Sequence, residues 1–399
     1  MTSRATAVLL NVAHALDHLF LLIFATAVGA IALDFGIARW EDLMPYGTGA
    51  FLLFGLGSLP AGRLGDLWGR RRMMLVFFFG LGAAALLVAC VRTAWQLAIA
   101  LTVLGAFSAI YHPVGIPMLV RHARRPGLTI GINGLSGNLG VACSALATGL
   151  LVKYFGWRAA FIVPGLVAIA CGFVFARTAT AEDVPPARGT AAQGAPAASF
   201  ARVFAVMTVA AITANLLFNL TTNGNGELLR ERLAGVVDDP AKLGALLAGV
   251  YAIGSLAQIV VGSLLDRVPL KYLYAGVVAV QAPLFVVAAT AQGWAFYVLM
   301  IAFMIVIFGA IPFTDAMIVR YVDDSHRSRV SGMRLTVSFG VSSLAVWALG
   351  PLVKSAGFGA LLLAMAVTAA CTLIAVLFLP SARPGATTSA PRESPRAAD

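Results

Sequence analysis

Three ionisable side chains near the start of the chain have the types and spacing of a proton site: His14, Asp17 and His18. Residues three and four positions apart share one face of an α-helix, so a helix through this apolar segment presents all three together. A carboxylate beside imidazoles can take up and release a proton near neutral pH. The same side chains can instead hydrogen-bond to neighbouring helices, and the sequence leaves that structural alternative open.

A fourth candidate, His112, lies in another apolar segment, between Tyr111 and Pro113. At 1.5 Å per helical residue, His14 lies roughly 14 Å from the start of its segment and His112 roughly 12 Å from the end of its own. The start of the first membrane span and the end of the fourth lie on the same side of a membrane. The two histidines are therefore expected at similar depth, and they converge if both helices face one cavity.

Polar residues in two later segments are further candidates. Asp315 follows Pro312 in an apolar run, where it could transfer protons, bind a cationic group or pair with an arginine. Asn215 and Asn219 are four residues apart and belong to a polar stripe on one helix face. Such a stripe suits the wall of a water-filled cavity, so both asparagines are predicted to contact the solute.

The composition identifies the kind of molecule that holds these residues. Of 399 residues, 60% are apolar and only 11% are charged, with a mean hydropathy of +0.90. Soluble domains carry about 25% charged residues, so a soluble enzyme or a nucleic-acid-binding protein is excluded. The net charge of +11 comes from basic residues in short loops between apolar stretches, as membrane orientation requires. The chain is therefore predicted to be a polytopic helical protein of the lipid bilayer.

Apolar runs long enough to cross a bilayer number twelve, which predicts an all-α membrane protein with twelve transmembrane helices. If the N-terminus is cytoplasmic, most of the 28 Lys and Arg residues fall on the inner side of the membrane. The predicted location is therefore the inner membrane, with both termini in the cytoplasm. The predicted spans are 5–33, 45–65, 73–91, 94–120, 128–152, 157–177, 202–223, 243–265, 270–291, 293–319, 329–353 and 357–379. The predicted organisation is a six-helix bundle over 5–177, a cytoplasmic linker over 178–200, a second bundle over 201–380 and a disordered tail over 381–399.

The two halves of the chain repeat each other at an offset near 200 residues. Residues 113–121 (PVGIPMLVR) match residues 312–320 (PFTDAMIVR), and Gly62 and Asp66 recur as Gly262 and Asp266. Several matches at nearly one offset indicate duplication of a six-helix unit. Because each unit has the same orientation, a pseudo-two-fold axis along the membrane normal is expected to relate them.

The loop between the second and third spans reads GRLGDLWGRRR over residues 62–72. It resembles the signature loop of the major facilitator superfamily, G-x-L-x-D-x-x-G-R-[KR]. The second-half copy is degenerate, since Pro269 replaces a glycine of the pattern. The resemblance implies two six-helix bundles, a central cavity lined by spans 1, 4, 7 and 10, and transport by alternating access. It also implies a gating role for the motif residues Gly62, Asp66, Gly69, Arg70 and Arg71 and their counterparts Asp266 and Arg267.

A narrower resemblance concerns Tyr111-His112-Pro113 and the cluster of His14, Asp17 and His18, which are similar to the fosmidomycin-resistance branch of exporters. The predicted function is secondary active transport of a small organic solute, coupled to protons, with export favoured over import. No cofactor or bound metal is expected, and the chain is expected to act as a monomer.

Two alternatives to that function remain. His14, His18 and His112 have the chemistry of transition-metal ligands, so the solute could be a metal ion. An intramembrane enzyme or a receptor is the alternative from another class. The chain contains none of the His-Glu-x-x-His, Gly-x-Ser-x-Gly or phosphate-loop motifs, so an enzyme is not expected.

Overall fold

The computed structural model describes residues 4–121, 126–180, 198–265, 267–321 and 324–379, and every regular element among them is helical. The predicted linker falls mostly outside these ranges, and the predicted tail falls entirely outside them. The α-helices are α1 (Arg4–Asp34), α2 (Trp40–Leu43), α3 (Thr48–Trp68), α4 (Arg70–Cys90), α5 (Ala94–Ser108), α6 (Ile116–Val120), α7 (Pro126–Phe155), α8 (Trp157–Thr178), α9 (Ala198–Arg232), α10 (Pro240–Leu265), α11 (Leu270–Ala288), α12 (Gly293–Tyr321) and α13 (Asp324–Leu377).

Ten helical segments among the described residues are long and apolar enough to cross a membrane, which confirms a multi-pass helical protein. Helix α3, with 21 residues, is long enough for one more span. Helix α13 has 54 residues but breaks at Gly357, whose φ of 77° and ψ of 168° are not helical. Unbroken, it would extend for about 80 Å, far beyond the hydrocarbon core of a bilayer. With α3 counted and α13 divided at Gly357, the described segments follow the order of the twelve predicted spans.

Helices from the two halves of the chain touch at one end of the molecule, which we call the opposite face because it lies away from the N-terminus. A Cβ atom at Gly149 of α7 would lie 2.7 Å from the carbonyl oxygen of Pro240. One at Gly244 of α10 would lie 2.5 Å from the carbonyl oxygen of Ala145, and one at Gly350 of α13 would lie closer still to the carbonyl oxygen of Glu41. Only glycine allows backbones to approach this closely.

The same helices separate toward the N-terminal face, the end at which α1 begins. A Cβ atom at Gly131 or Gly134 of α7, Gly262 of α10 or Gly340 of α13 would have no described neighbour within 4 Å. Helices α7, α10 and α13 therefore pack tightly near the opposite face and lack such close contacts toward the N-terminal face, and we call the space between the halves at that end the cleft.

Helix α9 continues nine residues past the predicted end of its span at 223 and ends at Arg232. The extension, GNGELLRER, is too polar to be recognised as a membrane span, yet much of it is buried. Its last residue, Arg232, donates to the carbonyl oxygens of Ala289 (3.1 Å) and Ala291 (3.4 Å) beyond the end of α11. Tertiary contacts satisfy the polar groups and allow the helix to continue.

Candidate functional site

The structure brings the four predicted residues of α1 and the fourth span into one cluster. The ring of His14 lies 4.9 Å from that of His18 and 5.1 Å from that of His112, measured between centroids. The His18 and His112 rings are 5.7 Å apart. Nδ1 or Nε2 atoms of the three imidazoles all lie within 4.8 Å of one another. These three side chains are thus the described residues that could hold a metal ion.

A π-helical turn positions Tyr111 and His112 toward α1. The fourth span is not one α-helix, because α5 ends at Ser108 and a π turn over Tyr111–Gly115 leads into α6. Pro113 has no N–H to donate one turn back, which frees the carbonyl oxygen of Ala109. That oxygen lies 3.4 Å from the Ser58 hydroxyl of α3, which has a shorter hydrogen bond of 2.8 Å to the carbonyl oxygen of Phe54. The wide turn lies where Tyr111 and His112 join the cluster.

Asp17 is completely buried at the centre of the cluster. The Nε2 atom of His112 lies 3.6 Å from Asp17 Oδ2, and the Ser108 hydroxyl lies beside the carboxyl group. Neither carboxyl oxygen meets hydrogen-bond geometry with any described residue. An isolated buried charge is costly, so the carboxyl group must either hold a proton or face a charged imidazole.

A directional chain of hydrogen bonds links α7 to both histidines of α1. The Nδ1 atom of His14 lies 2.7 Å from the backbone oxygen of Asn133. A carbonyl oxygen only accepts, so Nδ1 of His14 carries the proton and Nε2 is left as an acceptor. Nε2 of His18 lies 3.1 Å from Nε2 of His14 and therefore donates to it. The tautomers of both neutral rings follow from this one carbonyl contact.

Asn133 and Gly137 of α7 are site residues that sequence reasoning missed. The Asn133 amide donates to the Tyr111 hydroxyl at 2.7 Å and to Asn11 Oδ1 at 3.0 Å, and Tyr111 stacks on His14 with centroids 4.8 Å apart. A Cβ atom at Gly137 would lie 2.8 Å from the His14 ring and 2.9 Å from the His18 ring. The sequence marks these positions only as an asparagine among regularly spaced glycines. That pattern does not reveal which residues of other helices the asparagine and the glycine contact.

Asn215 and Asn219 both face α13. Their side-chain amides donate to the hydroxyls of Ser338 (3.0 Å) and Ser342 (2.8 Å). Asn219 is buried and Asn215 is partly exposed. Of the two predicted solute contacts, Asn215 therefore has the more accessible side chain. Asp315 lies in α12, but its side chain is outside the described residues.

The motif residues surround the link between α3 and α4. Gly69 forms the link with φ 90° and ψ 140°, which a residue with a Cβ rarely adopts. Arg71 donates to the carbonyl oxygens of Ala176 and Ala179, both at 2.6 Å, and so caps the end of α8. A Cβ atom at Gly62 would lie 3.3 Å from Pro113 in the π turn. Asp66 and Arg267 are exposed, Arg70 is partly exposed, and Asp266 lies outside the described residues.

A second group of charged residues lies at the opposite face, where the halves touch. Glu227 of α9 is buried and lies 3.4 Å from Arg230. Both pack on α1, since a Cβ atom at Gly29 would lie 3.0 Å from Glu227 Oε1 and 2.6 Å from an Arg230 nitrogen.

Two ion pairs also join the halves at this face. Lys153 of α7 pairs with Asp239 at 2.5 Å, and Asp42 of α2 pairs with Lys354 of α13. The Lys153 ammonium lowers the pKa of Asp239 below its usual value.

Comparisons with known proteins agree with the geometry. A sequence model of the Major Facilitator Superfamily matches residues 10–229. The tetracenomycin C resistance and export protein of Streptomyces glaucescens is 29% identical over 154 residues, 37% of this chain and 28% of that protein. The puromycin resistance protein pur8 of Streptomyces alboniger is 33% identical over 125 residues, 31% of this chain and 25% of that protein. Each match thus spans about a quarter of the relative's length.

The fold is similar over almost the whole chain to a solved transporter structure. A bacterial homologue of the human lysosomal transporter Spinster, in an inward-facing and occupied conformation, superposes with a TM-score of 0.72. The superposition covers 93% of this chain and 95% of that one at 15% identity. The same homologue in its unoccupied inward-facing conformation gives a TM-score of 0.70 at 13% identity. At this identity the likeness concerns the fold alone.

Proposed function

This chain belongs to the major facilitator superfamily, whose sequence model matches more than half of it, and on that premise we propose that it is a proton-coupled secondary transporter that exports a small organic solute. The observation that carries the proposal is the buried Asp17 carboxyl group, which has no hydrogen bond and lies 3.6 Å from His112. A group in that position can exchange one proton with an imidazole at little structural cost.

Alternating access supplies the transport step. We assign residues 5–177 and 201–380 to two bundles that rock about the central cleft, with the glycines and arginines of the 62–71 loop acting in the gate. The tight contacts at the opposite face and the cleft toward the N-terminal face support an inward-open state as the one described. Opening the other way requires α7 to leave α10 and α1 to leave α9.

The position of the cluster supports proton coupling. His18 and His112 are partly exposed, so an imidazole can pass a proton between the cleft and the buried carboxyl group. A solute bound in the cleft then competes with the proton for the same site. The proton enters while the cleft faces one side and leaves while it faces the other, which drives the solute in the opposite direction.

The choice of solute class and direction rests on the relatives. Both Streptomyces proteins are named for resistance, and one is named for export of tetracenomycin C. Those names favour export of an organic compound and do not favour a metal ion as the cargo. The concentration of Arg63, Arg70 and Arg72 at the N-terminal face supports a cytoplasmic location for that face in the inner membrane. The proton cluster comes from one chain, so a monomer suffices.

The first experiment identifies a solute. Cells that lack their own exporters are grown with puromycin, tetracenomycin C and a panel of toxic organic compounds, with and without this protein. A compound to which the protein confers resistance is then loaded into proteoliposomes under an imposed pH gradient. If the protein confers no resistance and moves none of the compounds, export of such solutes is excluded.

The second experiment tests the proton site in the same proteoliposomes. We expect Asp17→Asn to abolish flux driven by the pH gradient and to keep solute exchange without a gradient, because the amide cannot release a proton. Asp239→Asn, which removes an acidic group at the opposite face, serves as the matched control and retains coupling. Coupled flux that persists in Asp17→Asn would falsify the proposal.

A further inference from the structure

We propose that His14, His18 and His112 form a zinc-binding site at which Zn²⁺ is held rather than carried, and that the bound ion blocks transport. The binding itself is independent of the proposed function, whereas the block rests on it. The ligand class is a divalent metal ion that prefers imidazole nitrogen, for which Zn²⁺ is the probe.

The distances between the imidazoles suit a tetrahedral ion. Zn²⁺ binds imidazole nitrogen at 2.0–2.1 Å, so two nitrogens in one tetrahedral shell lie about 3.3 Å apart. The Nε2 atoms of His14 and His18 are already 3.1 Å apart, and the third imidazole offers a nitrogen within 4.8 Å of both. Small side-chain movements therefore convert the hydrogen-bonded pair and its neighbour into a three-nitrogen site.

The groups behind the rings are those that orient histidine ligands in metal sites. A ligating histidine normally donates its other N–H to a carbonyl or a carboxylate, which fixes its tautomer. The Nδ1 proton of His14 points at the Asn133 carbonyl, which leaves Nε2 for the metal. Nε2 of His112 lies 3.6 Å from the Asp17 carboxyl group, and His112 offers a nitrogen within 4.8 Å of those of His14 and His18.

His18 completes the site by changing its tautomer. In the metal-free protein its Nε2 proton is donated to His14. Binding moves that proton to Nδ1 through water of the cleft, so that Nε2 becomes a ligand and the total number of protons is unchanged. The Asp17 carboxylate offsets one of the two charges of the ion, and a water molecule from the cleft takes the fourth position.

The location of the ligands explains why the ion would inhibit. All three lie on α1 and the π turn, within the first half of the chain, so rocking of the halves neither assembles nor breaks the site. The ion stays in place through the cycle. It also fixes the rings of His18 and His112, the partly exposed side chains of the cluster, and thereby closes the cluster to the solute.

The test is calorimetric titration of the purified full chain in lipid nanodiscs with ZnCl₂. Titration with MgCl₂ is the control for nonspecific binding of a divalent cation. We expect one Zn²⁺ per chain and no Mg²⁺ binding. His18→Gln and His112→Gln each weaken Zn²⁺ binding at least tenfold, and both side chains are partly exposed, so these variants are expected to fold. His326→Gln, which removes a histidine outside the three, leaves binding unchanged.

Two further measurements separate the parts of the proposal. X-ray absorption at the zinc edge is expected to report three imidazole nitrogens at 2.0–2.1 Å. Asp17→Asn retains all three ligands and still binds Zn²⁺, although it loses proton coupling. The proposed site is wrong if Zn²⁺ does not bind stoichiometrically, or if the His18 and His112 variants bind it with the same affinity as the wild type. Binding without inhibition of wild-type flux overturns the block, and failure of the proposed function shows as uncoupled flux in the metal-free protein.

Discussion

Two buried carboxyl groups, one in each half of the chain, have opposite surroundings. Asp17 has no hydrogen bond and faces an imidazole, whereas Glu227 lies 3.4 Å from a guanidinium group and packs on the backbone of α1. A guanidinium group stays charged at any physiological pH, but an imidazole does not. Burial alone therefore does not make a proton site. The two carboxyl groups differ in their partners, because an imidazole can exchange a proton with a carboxyl group and a guanidinium group cannot.

The largest difference is expected in coupling. Glu227→Gln should retain flux driven by the pH gradient, in contrast to the complete loss in Asp17→Asn, because Glu227 faces the guanidinium group of Arg230 rather than an imidazole that can exchange a proton. The measurement is gradient-driven flux in proteoliposomes, normalised to the amount of protein inserted. Loss of coupling in Glu227→Gln as well would break the distinction between the two carboxyl groups.

The second expected difference is in stability. Arg230→Met leaves Glu227 buried without its partner and should lower the free energy of unfolding by about 1–3 kcal/mol. Adding Glu227→Gln to this variant removes the stranded charge and should recover part of the loss. Unfolding by SDS titration in mixed micelles measures the four members of this double-mutant cycle. Additive effects of the two substitutions would mean that the residues do not interact.

A third difference concerns how the rings at the Asp17 site are supported. Gly137→Ala places a methyl group against His14 and His18 and should lower the free energy of unfolding by about 1–3 kcal/mol, as overpacking does. Gly134→Ala is the control, since its Cβ atom meets no described neighbour, and should be neutral or slightly stabilising. The same SDS titration compares them, and equal effects would argue against close support of the rings by α7.

The smallest effect is expected for the exposed pair that joins the halves at the opposite face. The Lys153 ammonium lowers the pKa of Asp239, so the pair stabilises the fold above about pH 4 and the stabilisation disappears as the pH falls through the lowered pKa. Asp239→Asn should therefore destabilise slightly at pH 7, and its difference from the wild type should shrink as the pH is lowered below about 4. Thermal unfolding of both proteins across this pH range is the measurement. A difference that grows on acidification would have the wrong sign.

The helical segments were largely predictable because a lipid-spanning backbone must satisfy its own hydrogen bonds, which leaves long apolar runs visible in the sequence. The prediction failed at the end of α9, where residues 224–232 remain helical although they are polar. Glu227, Arg230 and Arg232 are stabilised there by groups from α1 and from the end of α11. A hydropathy pattern contains no information about such partners.

The shared face of His14, Asp17 and His18 was determined by the sequence, because helical periodicity is a local property of the chain. The proximity of His112 was expected from equal depth in the membrane. Only the tertiary structure decided that a carbonyl group 119 residues from His14 fixes its tautomer, that Gly137 makes room for both rings, and that the Asp17 carboxyl group has no hydrogen bond. These features depend on how α1, α7 and the π turn pack, and contacts between distant segments are set by packing rather than by spacing along one helix.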